Sequence, residues 1–322
     1  MRDTIVSFLG DDWPRVMEQM EEALSSDIAL LHDTNQAILR NSGKLLRPML
    51  ALLVARACSG FTTEDSARFA AAVEILHNAT LLHDDVADNS AERRGIPTLN
   101  ATMGAGTAGL VGDFWLARAL NKVLLSEHCN DVLLLFAKTL SDLAEGEMLQ
   151  LEKASSGDTS EKDYFRIIDC KTASLFEASC VSAAISVDSD SSYREAVRQY
   201  ARKAGEAFQV KDDILDYVGD EALGKPVGAD LKERKITLPL LCALQGSERE
   251  GEVRKMVSEI EQHPEYADTV REFVRERGGV ALAQARLDTL IGEAISSIEV
   301  LPQSQAKEYL LALVRYNTIR KV

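Results

Sequence analysis

Three carboxylates close an apolar helical run in the stretch Leu81-Leu82-His83-Asp84-Asp85-Val86-Ala87-Asp88. Apolar residues recur at helical spacing before it, from Thr63 onward, and predict one long buried helix. At about 100° and 1.5 Å per residue, Asp84 and Asp88 lie one turn apart on one face of this helix. Their oxygens can therefore converge on one hard cation. A solvated helix end is the alternative, although acids at a helix C-terminus oppose the helix dipole.

A second acidic cluster has the same spacing, Asp212-Asp213-Ile214-Leu215-Asp216, and it also follows an apolar helical run. We expect the two clusters to face one another and to hold several Mg²⁺ ions between their carboxylates and a diphosphate. Mg²⁺ is typically bound through few carboxylates together with substrate phosphates and water. The pair of clusters therefore predicts a site for metal and phosphate.

The composition is that of a globular protein and excludes several classes of function. The chain has 322 residues, of which 46% are hydrophobic, and its formal net charge is −15. This charge repels nucleic acid and no basic run offsets it, so we expect no nucleic-acid partner. The five cysteines form no CxxC pair, which predicts reduced thiols in a cytoplasmic protein. The first residues lack a signal-peptide pattern, and no apolar stretch is long enough for a transmembrane segment.

Nearly every segment shows the spacing of amphipathic helices, whereas strand-like alternation is hard to find. Polar, Gly or Pro breaks separate the predicted helices, which are Trp13–Arg40, Pro48–Gly60, Thr63–Asp88, Thr107–Ser126, Asp131–Lys153, Glu161–Val187 and Tyr193–Tyr217. From Thr237 onward, shorter helices are predicted with breaks at Gly246, Pro264, Gly278 and Pro302.

Two irregular segments follow the acidic clusters. Asn89–Pro97 is predicted to be a loop, and Gly219–Asp230 is the longest predicted irregular stretch. Long irregular loops in compact domains are often lids or binding loops. Because no repeat or clear linker interrupts the helical pattern, we expect one all-α domain over residues 1–322.

Several cations lie near the acidic clusters in sequence. Lys44 and Arg47 surround a helix start, where backbone N–H groups also favour an anion. Each cation taken singly is more simply a surface side chain whose stem packs on apolar neighbours. As a set, however, they accompany both clusters and favour phosphate binding: Lys44, Arg47, Arg93, Arg94, Lys171, Lys225 and Lys235.

Two further motifs have simpler explanations. Gly104–Gly109 matches GxGxxG, but no strand precedes it, so we expect it to ease a tight helix start rather than to bind a dinucleotide. Asn78-Ala79-Thr80 matches a glycosylation sequon, yet it lies within a predicted buried helix.

The chain contains a series of motifs whose order and spacing are typical of one family. Through them it resembles the trans-isoprenyl diphosphate synthases, or polyprenyl synthetases, over almost its whole length. The motifs are Gly43-Lys44-x-x-Arg47-Pro48, Leu82-His83-Asp84-Asp85-x-x-Asp88, Arg93-Arg94-Gly95, Gly112-Asp113, Lys171-Thr172-Ala173, Phe208-Gln209-x-Lys211-Asp212-Asp213-x-x-Asp216 and Gly224-Lys225-Pro226. The resemblance implies the isoprenoid synthase fold, a bundle of ten or more helices around a central cavity. It also implies a homodimer and Mg²⁺-dependent condensation of isopentenyl diphosphate with an allylic diphosphate.

The resemblance also implies a role for each matching residue. The implied Mg²⁺ ligands are Asp84, Asp88 and Asp212, with Asp85, Asp213 and Asp216 orienting waters and basic groups. The allylic diphosphate is expected to contact Arg93, Lys171 and Lys225. Isopentenyl diphosphate is expected to contact Lys44, Arg47, His77 and Arg94. The reacting carbons are expected beside Thr172, Phe208 and Gln209.

The sequence departs from the family pattern in two places. Ser42 and Leu45 replace a Gly and an Arg that often accompany Lys44. Arg234 replaces a Gly that commonly precedes Lys235, so Lys235 is left out of the expected ligands.

The residues below the first acidic cluster bear on product length. Thr80 is one turn before Asp84, about 6 Å along the axis, and Ala79 adjoins it. In the family, bulky aromatics near these positions stop a growing chain, so Ala79 and Thr80 predict a product longer than geranylgeranyl diphosphate. The alternative is that they only pack against a neighbouring helix. Three other functions stay open: a shorter-chain synthase, a class I terpene cyclase and a non-catalytic partner subunit.

Overall fold

Helices account for nearly all of the structure. The computed structural model describes residues 1–41, 43–93, 95–219 and 228–319. The helices are α1 Arg2–Leu9, α2 Asp12–Ala23, α3 Ala29–Arg40, α4 Leu46–Ser59, α5 Glu64–Ala87, α6 Leu99–Met103, α7 Ala105–Leu124, α8 Cys129–Ser156, α9 Glu161–Ile168, α10 Ser174–Ile185, α11 Ser191–Val218, α12 Ala229–Lys232, α13 Leu238–Leu244, α14 Glu250–Ser258, α15 Tyr266–Glu276, α16 Gly279–Ser297 and α17 Gln305–Ile319. A short antiparallel ribbon joins β1 Glu92–Arg93 to β2 Ile96–Pro97. The predicted all-α architecture is confirmed.

The elements gather into two compact units. Unit 1 comprises Met1–Ala137, Ala178–Val197 and Leu301–Leu310, and unit 2 comprises Lys138–Glu177, Arg198–Val300 and the chain from Leu311. In the part of the chain that the structure describes, no helix is both long and apolar enough to cross a bilayer. All five cysteines are free, as predicted.

Helix α5 carries the first acidic cluster, and its bounds match the prediction closely. Thr63 caps its N-terminus: the Thr63 hydroxyl accepts from the Ser66 N–H (3.1 Å), and the Ser66 hydroxyl accepts from the Thr63 N–H (3.0 Å). Such reciprocal capping satisfies two N–H groups that the helix leaves unpaired. Phe69 and Val73 are fully buried, and α5 packs against α2, α4 and α7. Asp88 is the C-cap, so the three carboxylates lie at the helix end.

The predicted helix Trp13–Arg40 is wrong in its extent, because the structure has two helices, α2 and α3, in this region. Hydroxyl groups between them bind the backbone. Ser25 donates its hydroxyl to the Glu22 carbonyl (2.9 Å), and Ser26 accepts from the Ile28 N–H (3.2 Å). Serine side chains compete in this way with helical hydrogen bonds and end helices. Helix α1 was not predicted.

The predicted helix Glu161–Val187 is interrupted by a π-helical turn, Asp169–Ala173. Its defining bond runs from the Ser174 N–H to the Asp169 carbonyl, five residues back. Within this wide turn, the Cys170 carbonyl accepts a hydrogen bond from the Ser174 hydroxyl at 2.5 Å. Turns of this kind are rare and are frequent at functional sites.

The two predicted irregular segments have different outcomes. Asn89–Pro97 contains the β1–β2 ribbon, so its prediction as a plain loop is wrong in part. Most of Gly219–Asp230 lies outside the described residues, but Ala229 and Asp230 already belong to α12.

The two minor motifs behave as predicted. Gly104 has φ +84° and separates α6 from α7, so the glycine-rich motif does ease a tight helix start. Only glycine adopts such a positive φ readily. Asn78 is buried within α5, and its amide donates to the Glu74 carbonyl at 2.8 Å.

Candidate active site

The three carboxylates at the end of α5 differ in exposure. Asp84 is half-buried, Asp88 is exposed and Asp85 is buried. The guanidinium of Arg93 donates from Nε to Asp85 Oδ1 at 2.8 Å. The first acidic cluster therefore has one carboxylate held by a cation of the β1–β2 ribbon and two on a face that a ligand can reach.

A close approach between α5 and α7 positions His83 beside this cluster. A Cβ at Gly112 would lie 2.5 Å from His83 Nε2, so the missing side chain at Gly112 leaves room for the His83 ring in this position. The same nitrogen lies 3.1 Å from Asp113 Oδ1. Within the Gly112-Asp113 motif, Gly112 therefore leaves room for the His83 ring, and Asp113 contacts that ring next to Asp84.

The residues expected at the isopentenyl diphosphate site lie on neighbouring elements of unit 1. Lys44 is exposed just before α4, Arg47 is half-buried in its first turn, and His77 is half-buried in α5. The Ser179 hydroxyl donates to the Arg47 carbonyl at 2.7 Å, which ties the start of α4 to α10. Arg94, expected in the same set, lies outside the described residues, as does Ser42.

In unit 2, the second acidic cluster occupies the last turns of α11. Asp213 is 3% exposed and accepts from the Tyr164 hydroxyl (2.6 Å) and from Gln209 Nε2 (2.9 Å). Asp216 accepts from the N–H groups of Ala229 (3.0 Å) and Asp230 (3.2 Å), at the first turn of α12. Asp212, the first residue of the cluster, is half-buried.

The π-helical turn carries Lys171 and Thr172 to the same region. The Thr172 hydroxyl donates to Gln209 Oε1 at 2.9 Å, which links the turn to Asp213 through Gln209. Lys171 Nζ donates to Gln150 Oε1 at 3.0 Å and forms an ion pair with Glu147. Four predicted residues thus belong to one connected set in unit 2: Lys171, Thr172, Gln209 and Asp213.

This set lines a cavity of about 190 Å³ in unit 2. The lining includes eight polar or charged side chains that can contact a ligand: Lys153, Tyr164, Lys171, Thr172, Gln209, Asp213, Asp230 and Lys235. Lys235 lines the cavity although the family pattern is broken before it, and it forms an ion pair with Glu233. A small space with both cations and carboxylates suits a ligand that carries phosphate and metal together.

Negative charge is crowded at this cavity. Burial raises the pKa of the Asp213 carboxyl, against the hydrogen bonds from Tyr164 and Gln209. Burial also raises the pKa of Asp230, and the neighbouring Asp213 and Asp216 carboxylates raise it further. A cation that enters this region would offset the repulsion, because a bound ion is the largest local charge in such a site.

The donor atoms of both clusters fit Mg²⁺. Asp84 and Asp88 lie one turn apart, and Asp212 is half-buried in α11. Among the described residues, no three His, Cys, Asp or Glu side chains converge closely enough to hold a metal by themselves. Mg²⁺ suits the carboxylates of either cluster taken by itself, because it takes few carboxylates and completes its shell with water and phosphate oxygens.

The remaining predicted residues are placed as follows. Phe208 packs against Phe176, with ring centroids 5.7 Å apart. Ala79 is 1% exposed, whereas Thr80 is half-buried and donates its hydroxyl to the His77 carbonyl at 2.8 Å. Lys225 lies outside the described residues.

Sequence reasoning missed several residues of the unit 2 cavity and its network, among them Tyr164, Glu147, Gln150, Lys153 and Asp230. Tyr164 precedes Lys171 by seven residues, so helical spacing already places the two on one face. Glu147 and Gln150 lie three apart in α8, but nothing in their sequence indicates Lys171 as their partner. Asp230 was included only as the end of a predicted loop.

Comparison with known proteins gives consistent matches along most of the chain. Residues 28–276 match the family model described as polyprenyl synthetase. The all-trans-nonaprenyl-diphosphate synthase (geranyl-diphosphate specific) of Rhodobacter capsulatus is 38% identical over 98% of this chain and 96% of that protein. A decaprenyl diphosphate synthase structure from the same organism has a TM-score of 0.91 at 32% identity, over 99% of both chains. A polyprenyl synthase from Caulobacter crescentus CB15, complexed with calcium and isoprenyl diphosphate, has a TM-score of 0.90 at 33% identity, over 100% of this chain and 98% of that one.

Proposed function

Because this chain belongs to the polyprenyl synthetase family and is a trans-prenyltransferase, we propose that it makes a long-chain all-trans polyprenyl diphosphate. It condenses isopentenyl diphosphate with an allylic diphosphate and repeats the reaction on its product. The observation that carries this proposal is the connected set Lys171, Thr172, Gln209 and Asp213 around a charged cavity. The long-chain relatives support the product class.

The first step in this proposal is loss of diphosphate from the allylic substrate. Lys171 and Arg93 hold the leaving group, as does Lys225, and they stabilise the charge that develops on its oxygens. Asp84, Asp88 and Asp212 would hold Mg²⁺, which when bound would supply further charge neutralisation for the diphosphate. Lys171 is paired with Glu147 and Arg93 with Asp85, so a neighbouring carboxylate orients each cation.

Condensation follows at the carbon that lost the diphosphate. Lys44, Arg47, His77 and Arg94 hold isopentenyl diphosphate so that its alkene attacks this carbon. Phe208, Gln209 and Thr172 border the reacting carbons, and the ring of Phe208 or the amide oxygen of Gln209 stabilises positive charge there. The proton that must then leave is taken by the released diphosphate, since the sequence offers no better-placed base. Asp85, Asp213 and Asp216 orient waters and basic groups around this chemistry.

Product length in this proposal depends on the α5 residues that precede the acidic cluster. Ala79 and Thr80 have small side chains, and the partial exposure of Thr80 leaves its face open to a ligand. A growing prenyl chain then passes them without a steric stop, so the product is longer than geranylgeranyl diphosphate.

The assembly in this proposal is a homodimer of single-domain subunits in the cytoplasm. Large exposed apolar side chains support it: Leu110 of α7 and Leu134 of α8 each leave 72% of their surface exposed in unit 1. In unit 2, Met148 is 66% exposed. Exposed apolar surface is typical of protein interfaces when it forms a contiguous patch, and the dimer is expected to bury these side chains. Light scattering coupled to size-exclusion chromatography measures the mass directly, and a monomeric mass at micromolar concentration contradicts the dimer.

The decisive experiment uses the purified chain with Mg²⁺, isopentenyl diphosphate and farnesyl diphosphate, followed by chromatography of the products. Products longer than geranylgeranyl diphosphate support the proposal, and loss of all products with excess EDTA supports the metal. Geranylgeranyl diphosphate alone indicates a shorter-chain synthase. A cyclic hydrocarbon indicates a terpene cyclase, and the absence of any product indicates a subunit that needs a partner.

Variants of the acidic clusters test the proposed ligands. Asp84→Asn and Asp212→Asn each remove one ligand charge with little change of shape, so we expect turnover to fall by about 10²-fold or more. Glu64→Gln in the first turn of α5 is the matched control, because Glu64 lies at the opposite end of that helix. Equal turnover in all three variants would remove these aspartates from the metal site.

A further inference from the structure

A single guanidinium spans the π-helical turn that carries Lys171 and Thr172. Arg202 of α11 donates from Nη1 to both oxygens of Asp169, at 3.2 and 3.0 Å, and from Nε to Glu177 Oε2 at 2.7 Å. Asp169 is the first residue of the turn, and Glu177 lies just beyond its end in α10. Glu177 is 5% exposed, so its charge depends on protein partners. Arg202 therefore holds the two ends of the turn at a set separation.

Two glycines let neighbouring helices pack directly against the same turn. A Cβ at Gly205 of α11 would lie 2.6 Å from Ala173 Cα, and a Cβ at Gly146 of α8 would lie 2.7 Å from Cys170 Cβ. The second would also lie 2.9 Å from Lys171 Cγ. The turn is thus in contact on two sides, and any change of its width moves Lys171.

Helix α11 joins this contact to the reacting groups. Arg202, Gly205 and Gln209 follow one another at intervals of three and four residues, so they share one face of the helix. Arg202 contacts the ends of the turn, Gly205 contacts Ala173, and Gln209 accepts from Thr172. About 10 Å of helix separates Arg202 from Gln209. The salt bridges of Arg202 and the Thr172–Gln209 contact therefore join the same two elements, α11 and the turn.

We propose that Arg202, through Asp169 and Glu177, is a positioning residue that holds the π-helical turn so that Lys171 meets the allylic diphosphate and Thr172 meets Gln209. This inference deepens the proposed function and rests on it for the identity of the ligand. Arg202 does not touch substrate. Its contribution is transmitted entirely by the geometry of the turn.

The test compares Arg202→Gln with Arg198→Gln in the full chain. Arg198 also binds Glu177, from Nε at 2.9 Å, but the contact with Asp169 described above belongs to Arg202. For Arg202→Gln we expect kcat/KM for the allylic diphosphate to fall by about 10- to 100-fold, since a displacement near 1 Å of a positioned group has effects of this size. The KM for isopentenyl diphosphate should stay within about twofold. Arg198→Gln should leave both constants within about twofold of the wild type.

A double-mutant cycle separates positioning from general loss of structure. If Arg202 acts through the turn, then Arg202→Gln should have little further effect in a Lys171→Ala/Thr172→Ala background, which removes both groups that the turn positions. If the two effects multiply, or if Arg198→Gln matches Arg202→Gln, the positioning role is wrong. Asp169→Asn keeps the shape of the side chain and should reproduce the Arg202→Gln pattern. It decides the question if Arg202→Gln fails to fold, as judged by thermal unfolding.

Binding of inorganic diphosphate in the presence of Mg²⁺ gives a readout that does not need turnover. Calorimetry should show weaker binding by Arg202→Gln than by the wild type, and unchanged binding by Arg198→Gln. If the wild type binds diphosphate but elongates nothing, the proposed function fails while the positioning role is still judged by these affinities. Equal affinity of the wild type and Arg202→Gln overturns the positioning role alone.

Discussion

The Tyr164 hydroxyl donates a hydrogen bond of 2.6 Å to Asp213, a carboxylate that is buried in α11. Gln209 donates to the other oxygen of Asp213, so donors from two helices hold this carboxylate. Burial of a charged group without such donors is costly. Tyr164 therefore helps to stabilise the buried carboxylate of the second acidic cluster in unit 2.

Replacing Tyr164 with Phe should lower the free energy of unfolding by about 1–3 kcal/mol, because one donor to a buried carboxylate is lost. Chemical denaturation at neutral pH measures this. Tyr316→Phe is the control, since Tyr316 is 47% exposed. The same loss in both variants would mean that the Tyr164–Asp213 bond contributes nothing specific.

The close contact at Gly112 predicts opposite effects for two glycines of α7. Gly112→Ala places a Cβ 2.5 Å from His83 Nε2, so His83 or the helix must move, and we expect a loss of about 1–3 kcal/mol. Gly109→Ala meets no atom within 4 Å and should gain about 0.5–1 kcal/mol, as in other helix interiors. Thermal unfolding compares them. A stability change of the same sign in both variants contradicts the close packing of His83 on α7.

Because the carboxyl of Glu206 is buried, we expect its replacement by Gln to stabilise the protein to a degree that depends on pH. Burial raises its pKa, and Lys203, whose Nζ lies 3.1 Å away, offsets this only in part. In the unfolded chain, Glu206 ionises near its ordinary pKa of 4.5. At neutral pH Glu206 is therefore charged in both states, and only the folded state bears the free-energy cost of burying that charge. Glu206→Gln should therefore unfold at higher denaturant than the wild type at neutral pH.

This advantage should shrink as the pH falls through the raised pKa of the folded state. Below 4.5 both states are protonated, so the curves of Glu206→Gln and the wild type should converge. Exposed Glu248→Gln serves as the control and should change stability little at any pH. A constant difference between Glu206→Gln and the wild type across the titration would assign the gain to something other than ionisation.

Thr80→Phe tests the link between α5 and product length. A Phe side chain at this half-buried position should block the growing chain and shorten the main product by several isoprene units. Thr80→Ser is the control, because it keeps both the small size and the hydroxyl that bonds to His77. Chromatography of the dephosphorylated products measures chain length. An unchanged distribution in Thr80→Phe would show that another residue limits the product.

Much of the fold and of the candidate site could be predicted from the sequence because the deciding patterns are local. Helix α5 was predicted to within a residue, since the apolar spacing that marks it lies within the helix itself. The two acidic clusters were located for the same reason: the spacing of Asp84 and Asp88, repeated at Asp212 and Asp216, follows from one turn of helix. The family motifs added the expected roles.

Tertiary structure decided what depends on distant partners. One donor to Asp213 is Tyr164, 49 residues earlier, and no helical period connects them. The π-helical turn is held by Arg202, 33 residues after Asp169, so its sequence alone reads as ordinary helix. Periodicity reports which face of a helix is buried, because that depends on 3.6 residues per turn. It does not report which side chain meets which across the packed faces, since that depends on how the helices dock.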